Sequence, residues 1–201
     1  TYVHPFDSPL IWEGHSTIID ELVHDFEAMR TDESHPDHQQ YGLSESNNHC
    51  PSAIICSVVG GGLLNGICLG LNRNGWNEHV SIIAAETIGA DSFYQSFMKG
   101  EHVTLDGITS IATTLGAKRV QQDILDFTND RKHCKQCVPV RVTDKEAVDA
   151  ILKFLNHHRI LVEPACSASL ALLYNEQYVQ EVLQPFESIV VEVCGGSGIN
   201  F

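Results

Sequence analysis

The stretch AIICSVVGGGLLNG, residues 53–66, decides how this chain is read. An apolar, β-prone segment runs straight into three consecutive glycines and then into an amphipathic helical pattern, an order that aims bare backbone N–H groups at an anion such as phosphate. Glycine suits such a turn because a Cβ would hold the backbone away from a ligand, and because these turns often need positive φ. The plainer alternative is a tight strand-to-helix turn with nothing bound. No lysine followed by serine or threonine trails the glycines, which excludes a P-loop. A dinucleotide site stays open: Gly60, Gly62 and Gly66 read GxGxxxG, and Glu86 closes the next apolar strand, where an acid could hold a ribose.

On either side of the glycines the periodicity alternates between strand and helix. Ser8 and Pro9 carry helix-start chemistry, and Ile18, Ile19, Leu22, Val23 and Phe26 recur at helical spacing, predicting a helix within residues 10–29. The polar, aperiodic stretch 31–51 reads as a surface loop. Then come a strand over Ala53–Val58, a helix over Leu63–Asn74 stopped by Gly75, and a strand over Val80–Ala85, which make one βαβ unit. Helices are predicted through Phe93 and Phe97, near Gln121–Phe127, and after Pro164. Cys137–Val142 reads as a strand, after which Thr143 and Glu146 form a capping box. The helix it opens is expected to bury Ala147, Val148, Ile151, Leu152 and Leu155. A last strand over Ser188–Val193 ends at a second glycine pair, Gly195 and Gly196. The pattern predicts an α/β fold, an open and mainly parallel sheet flanked by helices. Both glycine turns follow strand ends, so they should share one mouth.

The 201 residues, 43% of them hydrophobic, suffice for one packed domain. Twelve basic against twenty-six acidic side chains give a net charge of −14 with no basic stripe, which argues against nucleic acid and anionic membrane as partners. No run of eighteen apolar residues suggests a membrane span. Seven cysteines is an odd count, and Cys56, Cys68, Cys166 and Cys194 sit in apolar segments, where cysteine behaves as a small buried hydrophobe in a reducing cytoplasm. Cys134 and Cys137 with His133 are half of a zinc site, which His157 and His158 would have to complete. His24, His35, His38 and His49 lie in or beside polar stretches and read as solvated.

Several motifs occur together and in order: YVHPFDSPLIWEGHSTIIDEL (2–22), SVVGGGLLNG (57–66), AETIGADSF (85–93), ITSIATTLGAKRV (108–120), ILVEPACSASLALLY (160–174) and VVEVCGGSGIN (190–200). Over nearly the whole chain this resembles the eukaryotic L-serine dehydratases, which also act on L-threonine and belong to the fold type II pyridoxal-phosphate enzymes. The resemblance implies deamination of serine to pyruvate and ammonia, and of threonine to 2-oxobutyrate. It implies a single partial domain over residues 1–201, most of the family's cofactor-binding large domain. The small domain and the lysine that bonds to pyridoxal 5′-phosphate are expected to lie before Thr1, since the family's lysine motif occurs nowhere in the chain. An inactive fragment is the non-enzymatic alternative. Relatives of this kind are commonly homodimers.

The resemblance also assigns residues. The family's phosphate loop falls on Val59, Gly60, Gly61, Gly62 and Leu63, with Val59 replacing a glycine. If the turn needs positive φ there, a β-branched residue would weaken cofactor binding. Cys194 falls where the ring nitrogen is contacted. As a weak donor it would not hold the pyridine as a full cation. The alternative for Cys194 is a buried packing role. Val59, Glu86, Ala90, Ser92, Leu115 and Ala117 fall on a monovalent-cation site, an oxygen cage with one carboxylate that suits potassium better than zinc. The alternative for Glu86 is a solvated strand-end residue. Of the lysines present, only Lys118 lies near the cation segment as a surrogate base.

Overall fold

Strand β1 (Ala53–Ser57) and strand β2 (Ser81–Thr87) are buried along their whole length, as expected of strands covered on both faces. Their side chains alternate between two apolar layers, with Ala53, Ile55, Ile83 and Ala85 in one and Ile54, Cys56, Ile82 and Ala84 in the other. The computed structural model describes residues 2–31, 50–129 and 132–196. The loop read over 31–51 falls almost wholly outside them. Among the described residues, β1, β2, β3 (Cys137–Val142) and β4 (Ile189–Val191) form one parallel sheet in the order β3-β2-β1-β4. Strand β4 is shorter than the Ser188–Val193 expected, although the Glu192 N–H still reaches the Ile55 carbonyl at 2.9 Å. Pro139 offers no N–H, which β3 tolerates because it is an edge of the described sheet.

Helices cover both faces. On one side lie α1 (Pro9–Thr31), α2 (Gly62–Arg73) and α4 (Ile124–Asn129), with Ile19, Leu64, Ile67, Leu71 and Ile124 wholly buried. Helix α3 (Ser92–Lys99) follows β2. The opposite face carries α5 (Asp144–His158) and α6 (Pro164–Tyr174). Helix α6 is apolar around its whole circumference because it lies between the sheet and α5. The capping box forms as expected: the Glu146 N–H donates to Thr143 Oγ1 (3.2 Å) and the Thr143 N–H to Glu146 Oε2 (2.7 Å). The buried stripe differs from expectation. Ala147, Ala150, Ile151 and Phe154 face inward, whereas Val148 and Leu152 are exposed. The small Ala147 and Ala150 let α6 approach closely, and this contact sets the rotation of α5 more strongly than the count of bulky residues does.

A second close approach fixes α1 against α2. A Cβ on Gly70 would lie 2.6 Å from the Ser16 carbonyl oxygen, and one on Gly66 would lie 2.8 Å from the Trp12 carbonyl oxygen. Arg73 locks the far end of the pair through Asp20 Oδ2 (2.6 Å) and Glu13 Oε1 (2.8 Å). The third glycine of GxGxxxG therefore serves helix packing. Gly70→Ala should cost about 1–3 kcal/mol through overpacking. Gly14→Ala, on the same helix pair with nothing within 4 Å of the new methyl, should gain roughly 0.5–1 kcal/mol. Urea midpoints of the two variants should move in opposite directions.

Candidate functional site

The chain runs from β1 outward through β2 to β3 and then returns to place β4 on the other side of β1. Connections leaving β1 and β4 therefore diverge, and a crevice opens beyond their carboxyl ends. A cleft of about 580 Å³ lies there. Residues Val59–Leu63 line it from the β1 side, and Glu192 and Cys194 from the β4 side. Of the second glycine turn, described through Gly196, Cys194 reaches this mouth, whereas Gly195 and Gly196 do not line it.

The first turn leaves its backbone donors free. Its carbonyls are tied backward, Gly60 O accepting the Gln121 N–H and Gly61 O the Asn65 N–H, each at 2.9 Å. No backbone N–H from Val59 to Leu63 has a partner among the described residues. These donors and the positive end of α2 converge on the cleft. Positive φ is confined to Gly61, at +98°, where a Cβ would also overlap Ile124 Cδ1. Val59 has ordinary negative φ, so its replacement of a glycine carries no backbone strain, contrary to the concern raised by its branching. The ring of Phe6 lies flush against Gly60 and leaves no room for a side chain there. Phe6 is held by Trp12, whose Nε1–H donates to the Phe6 carbonyl at 2.7 Å.

At the opposite end Cys194 is exposed rather than packed in the core, because β4 ends at Val191 and the chain then turns into the cleft. Its thiol donates to the Glu192 carboxylate, with Sγ 3.0 Å from Oε1 and 3.1 Å from Oε2. Partial burial, and then the neighbouring carboxylate, push the Cys194 thiol up. Burial also pushes the Glu192 carboxyl up, against the thiol and His15, which favour its charged form. Between the two ends, Thr114 Oγ1 donates to Glu163 Oε1 at 3.0 Å, and the Glu163 N–H reaches the Gly195 carbonyl at 3.0 Å. The mouth thus offers donors at one end and a hydrogen-bonded thiol and carboxyl at the other, a donor set whose first end suits a phosphate.

Glu86 is only 1% exposed, which overturns the solvated reading. Its Oε1 accepts the Phe93 N–H (3.1 Å) and its Oε2 the Tyr94 N–H (2.6 Å) at the start of α3. Burial nevertheless pushes its pKa up to about 8. It does not line the cleft, so it is not placed to hold a ribose there. The Ser92 hydroxyl donates to the Ala117 carbonyl at 2.8 Å, and Ala90 and Leu115 pack in one apolar layer. Asp91, buried beside Glu86, is paired with Arg141 at 2.9 Å, and that guanidinium lies 4.1 Å over the Tyr94 ring.

Other expectations resolve differently. Lys118 donates to the Asp106 carbonyl at 2.8 Å, and no lysine lines the cleft among the described residues. Cys134 packs on the α2 side of the sheet, whereas the His158 ring lies tilted against Phe154 on the other side, so the fold does not assemble the proposed zinc set. Cys56, Cys68 and Cys166 are buried as expected. His24 is exposed, and His35, His38 and His49 lie outside the described residues. Sequence reasoning passed over Phe6, Glu163 and Glu192. For Glu192 the signal was a single charge inside the apolar run IVVEVC.

The profile of the family described as pyridoxal-phosphate dependent enzyme matches residues 1–195. L-serine dehydratase of Dictyostelium discoideum is 40% identical over 201 residues, which cover 99% of this chain and 51% of that protein. L-serine dehydratase/L-threonine deaminase of Bos taurus is 41% identical over 204 residues, covering 99% and 54%. The crystal structure of a fungal L-serine ammonia-lyase from Rhizomucor miehei superposes with a TM-score of 0.79 at 36% identity, over 99% of this chain and 56% of that one. The chain spans about half the length of these relatives.

Gly61→Ala tests the cradle. The left-handed conformation and the overlap with Ile124 should cost roughly 1–2 kcal/mol of stability, and anion binding should weaken at least tenfold as the N–H groups rotate out of register. Calorimetric titration with pyridoxal 5′-phosphate measures the second effect separately from the first.

Proposed function

This chain belongs to the pyridoxal-phosphate dependent enzymes, and we propose that the protein of which it is part deaminates L-serine to pyruvate and ammonia, and L-threonine to 2-oxobutyrate. The observation that carries this reading is the pairing, across one cleft at the switch of strand order, of unpartnered backbone donors at Val59–Leu63 with the Cys194 thiol. When bound, pyridoxal phosphate supplies an electron sink for the substrate α-carbon and so assists loss of the β-hydroxyl as water. This chain's part is to bind and orient. The N–H groups of the first turn would hold the phosphate, and Cys194 would meet the ring nitrogen. No lysine lines the cleft among the described residues, so the base that takes the α-proton is assigned to the part of the relatives' length that this chain does not span. Titration of the full chain with pyridoxal 5′-phosphate and, separately, with NADH should give saturable binding of the first alone. Saturable NADH binding with no pyridoxal-phosphate binding overturns the reading. At the length of its relatives, the protein should release pyruvate from L-serine.

A potassium or similar monovalent cation is proposed near Glu86, Ala90, Ser92, Leu115, Ala117 and the Val59 carbonyl. Its support is the buried Glu86 carboxylate, which keeps two unused lone-pair directions after accepting two N–H bonds. A cation there would hold the β2–α3 turn and the Thr113–Leu115 turn against the end of β1. The pH dependence follows from sign. A carboxyl whose folded-state pKa is raised takes up a proton on folding, so its contribution is greatest below the unfolded value of 4.5 and is lost as pH rises toward about 8. Without potassium, the melting temperature should therefore fall from pH 5 to 8.5, and less so in Glu86→Gln. Replacing choline chloride by potassium chloride at pH 8.5 should raise the wild-type melting temperature and leave that of Glu86→Gln unchanged.

A further inference from the structure

Four of the seven cysteines gather on one face of the sheet. Cys56 on β1, Cys68 on α2 and Cys134 are buried together there, and Cys137, at the start of β3, packs against them. Among the described residues they do not converge as a metal-holding group of three. Two of them do meet: the thiols of Cys68 and Cys134 are in hydrogen-bond contact, whereas Cys56 and Cys137 act on this pair only through longer-range charge. The CxxC spacing is thus not the pairing that the fold makes. The Lys135 N–H bonds the Val80 carbonyl (3.0 Å) and the Gln136 carbonyl takes the Ile82 N–H (2.8 Å), which lays the two intervening residues along β2 and carries Cys137 on into β3. Cys134 is 1% exposed, yet it lines a cavity of about 300 Å³ at which Asn129, Lys135 and Gln136 are exposed. Cys68 is wholly buried and does not line that cavity. Contact with Cys68 lowers the Cys134 thiol against the effect of burial, and the same contact, with burial, pushes the Cys68 thiol up. A small polar oxidant entering from the surface therefore meets Cys134 first, with Cys68 placed to react second.

We infer that Cys68 and Cys134 are a dithiol site that a hydroperoxide oxidises to a disulfide, fastening α2 to the segment that leads into β3. The Cys134 sulfur attacks the outer peroxide oxygen, the O–O bond breaks, and the alcohol, or water in the case of hydrogen peroxide, leaves with the thiol proton, so that Cys134 becomes a sulfenic acid. The Cys68 sulfur then forms the S–S bond as the S–O bond breaks, and its proton leaves with the hydroxide as water. Two thiols lose two electrons and two protons, and the peroxide is reduced. The loop so closed takes in β2, α3 and α4. Nothing in this chemistry depends on what the cleft beyond β1 binds.

The test is treatment of the folded full chain with hydrogen peroxide, alkylation of the remaining thiols, and tryptic mass spectrometry. Trypsin cuts after Lys132 and Lys135, so Cys134 is released in residues 133–135, apart from Cys137 in 136–141. The expected product is a link from 133–135 to 31–73, which fragmentation assigns to Cys68 rather than Cys50 or Cys56, and which dithiothreitol reverses. The linked chain should melt about 5 °C or more above the reduced chain. Cys137→Ala should link as the wild type does, and Cys134→Ala should neither link nor gain stability on oxidation. Both thiols left reduced, a link of either to another cysteine, sulfinic acid at Cys134 with no link, or linkage only after unfolding in urea overturns the inference. A linked chain that melts no higher than the reduced one overturns the fastening. Fragmentation of the wild-type digest decides by itself should Cys134→Ala fail to fold.

Discussion

Parallel pairing of β1 with a neighbour on each side, β2 through Ile55↔Ile83 and β4 through Ile55↔Val191, is the constraint from which the site follows. Because all three strands point the same way, the turns that end β1 and β4 emerge at the same edge of the sheet. Because the chain travels outward in one direction before returning, those turns diverge. The cleft between them is thus a product of strand order, and side chains are needed only to finish it. Gly61 finishes one end by taking a conformation that other residues resist. Glu192 finishes the other by keeping its N–H on the Ile55 carbonyl while its carboxylate takes the Cys194 thiol.

The glycines divide this labour in a way that spacing alone conceals. Gly60 and Gly62 make room for Phe6, Gly61 supplies positive φ, and Gly66 and Gly70 let α1 settle on α2. Thus α1 carries Trp12, which orients Phe6, and Phe6 walls the cradle. The glycine-turn end of the cleft is in this sense buttressed by a helix that contributes no donor to it. A larger residue at Gly66 would act on the cradle from a distance by pushing Trp12 outward.

Most of the fold was legible because burial imposes periodicity. The β1 run is apolar throughout since both faces are covered, and the Thr143–Glu146 box announced the start of α5. The rotation of α5 was not legible: Val148 and Leu152 are apolar, yet α6 packs against Ala147 and Ala150, and shape complementarity outranks hydrophobicity there. Within the candidate site, glycine turns at strand ends foretold where the cleft opens. The state of its polar groups was hidden. Glu86 reads in sequence like any strand-end acid, and only the fold shows that two N–H groups of α3 meet it inside the protein. Cys194 reads as a core cysteine, and only the early end of β4 exposes it.

The two ends of the cleft also respond differently to solution conditions. A net charge of −14 repels an anionic ligand at long range, and no lysine or arginine lines the cleft among the described residues to offset this. Attraction at the glycine turn therefore comes from peptide dipoles that act over a few ångströms. Such donors do not titrate, so a phosphate held there would feel pH only through its own second proton, whose pKa is about 6. Salt, by screening the long-range repulsion, should favour approach of an anion more than it weakens the short contacts. At the other end Glu192 and Cys194 share a proton-bearing contact, and burial pushes the carboxyl up. Changes of pH therefore act on the two ends unequally, leaving the peptide donors as they are and changing the charge of the Glu192 carboxyl.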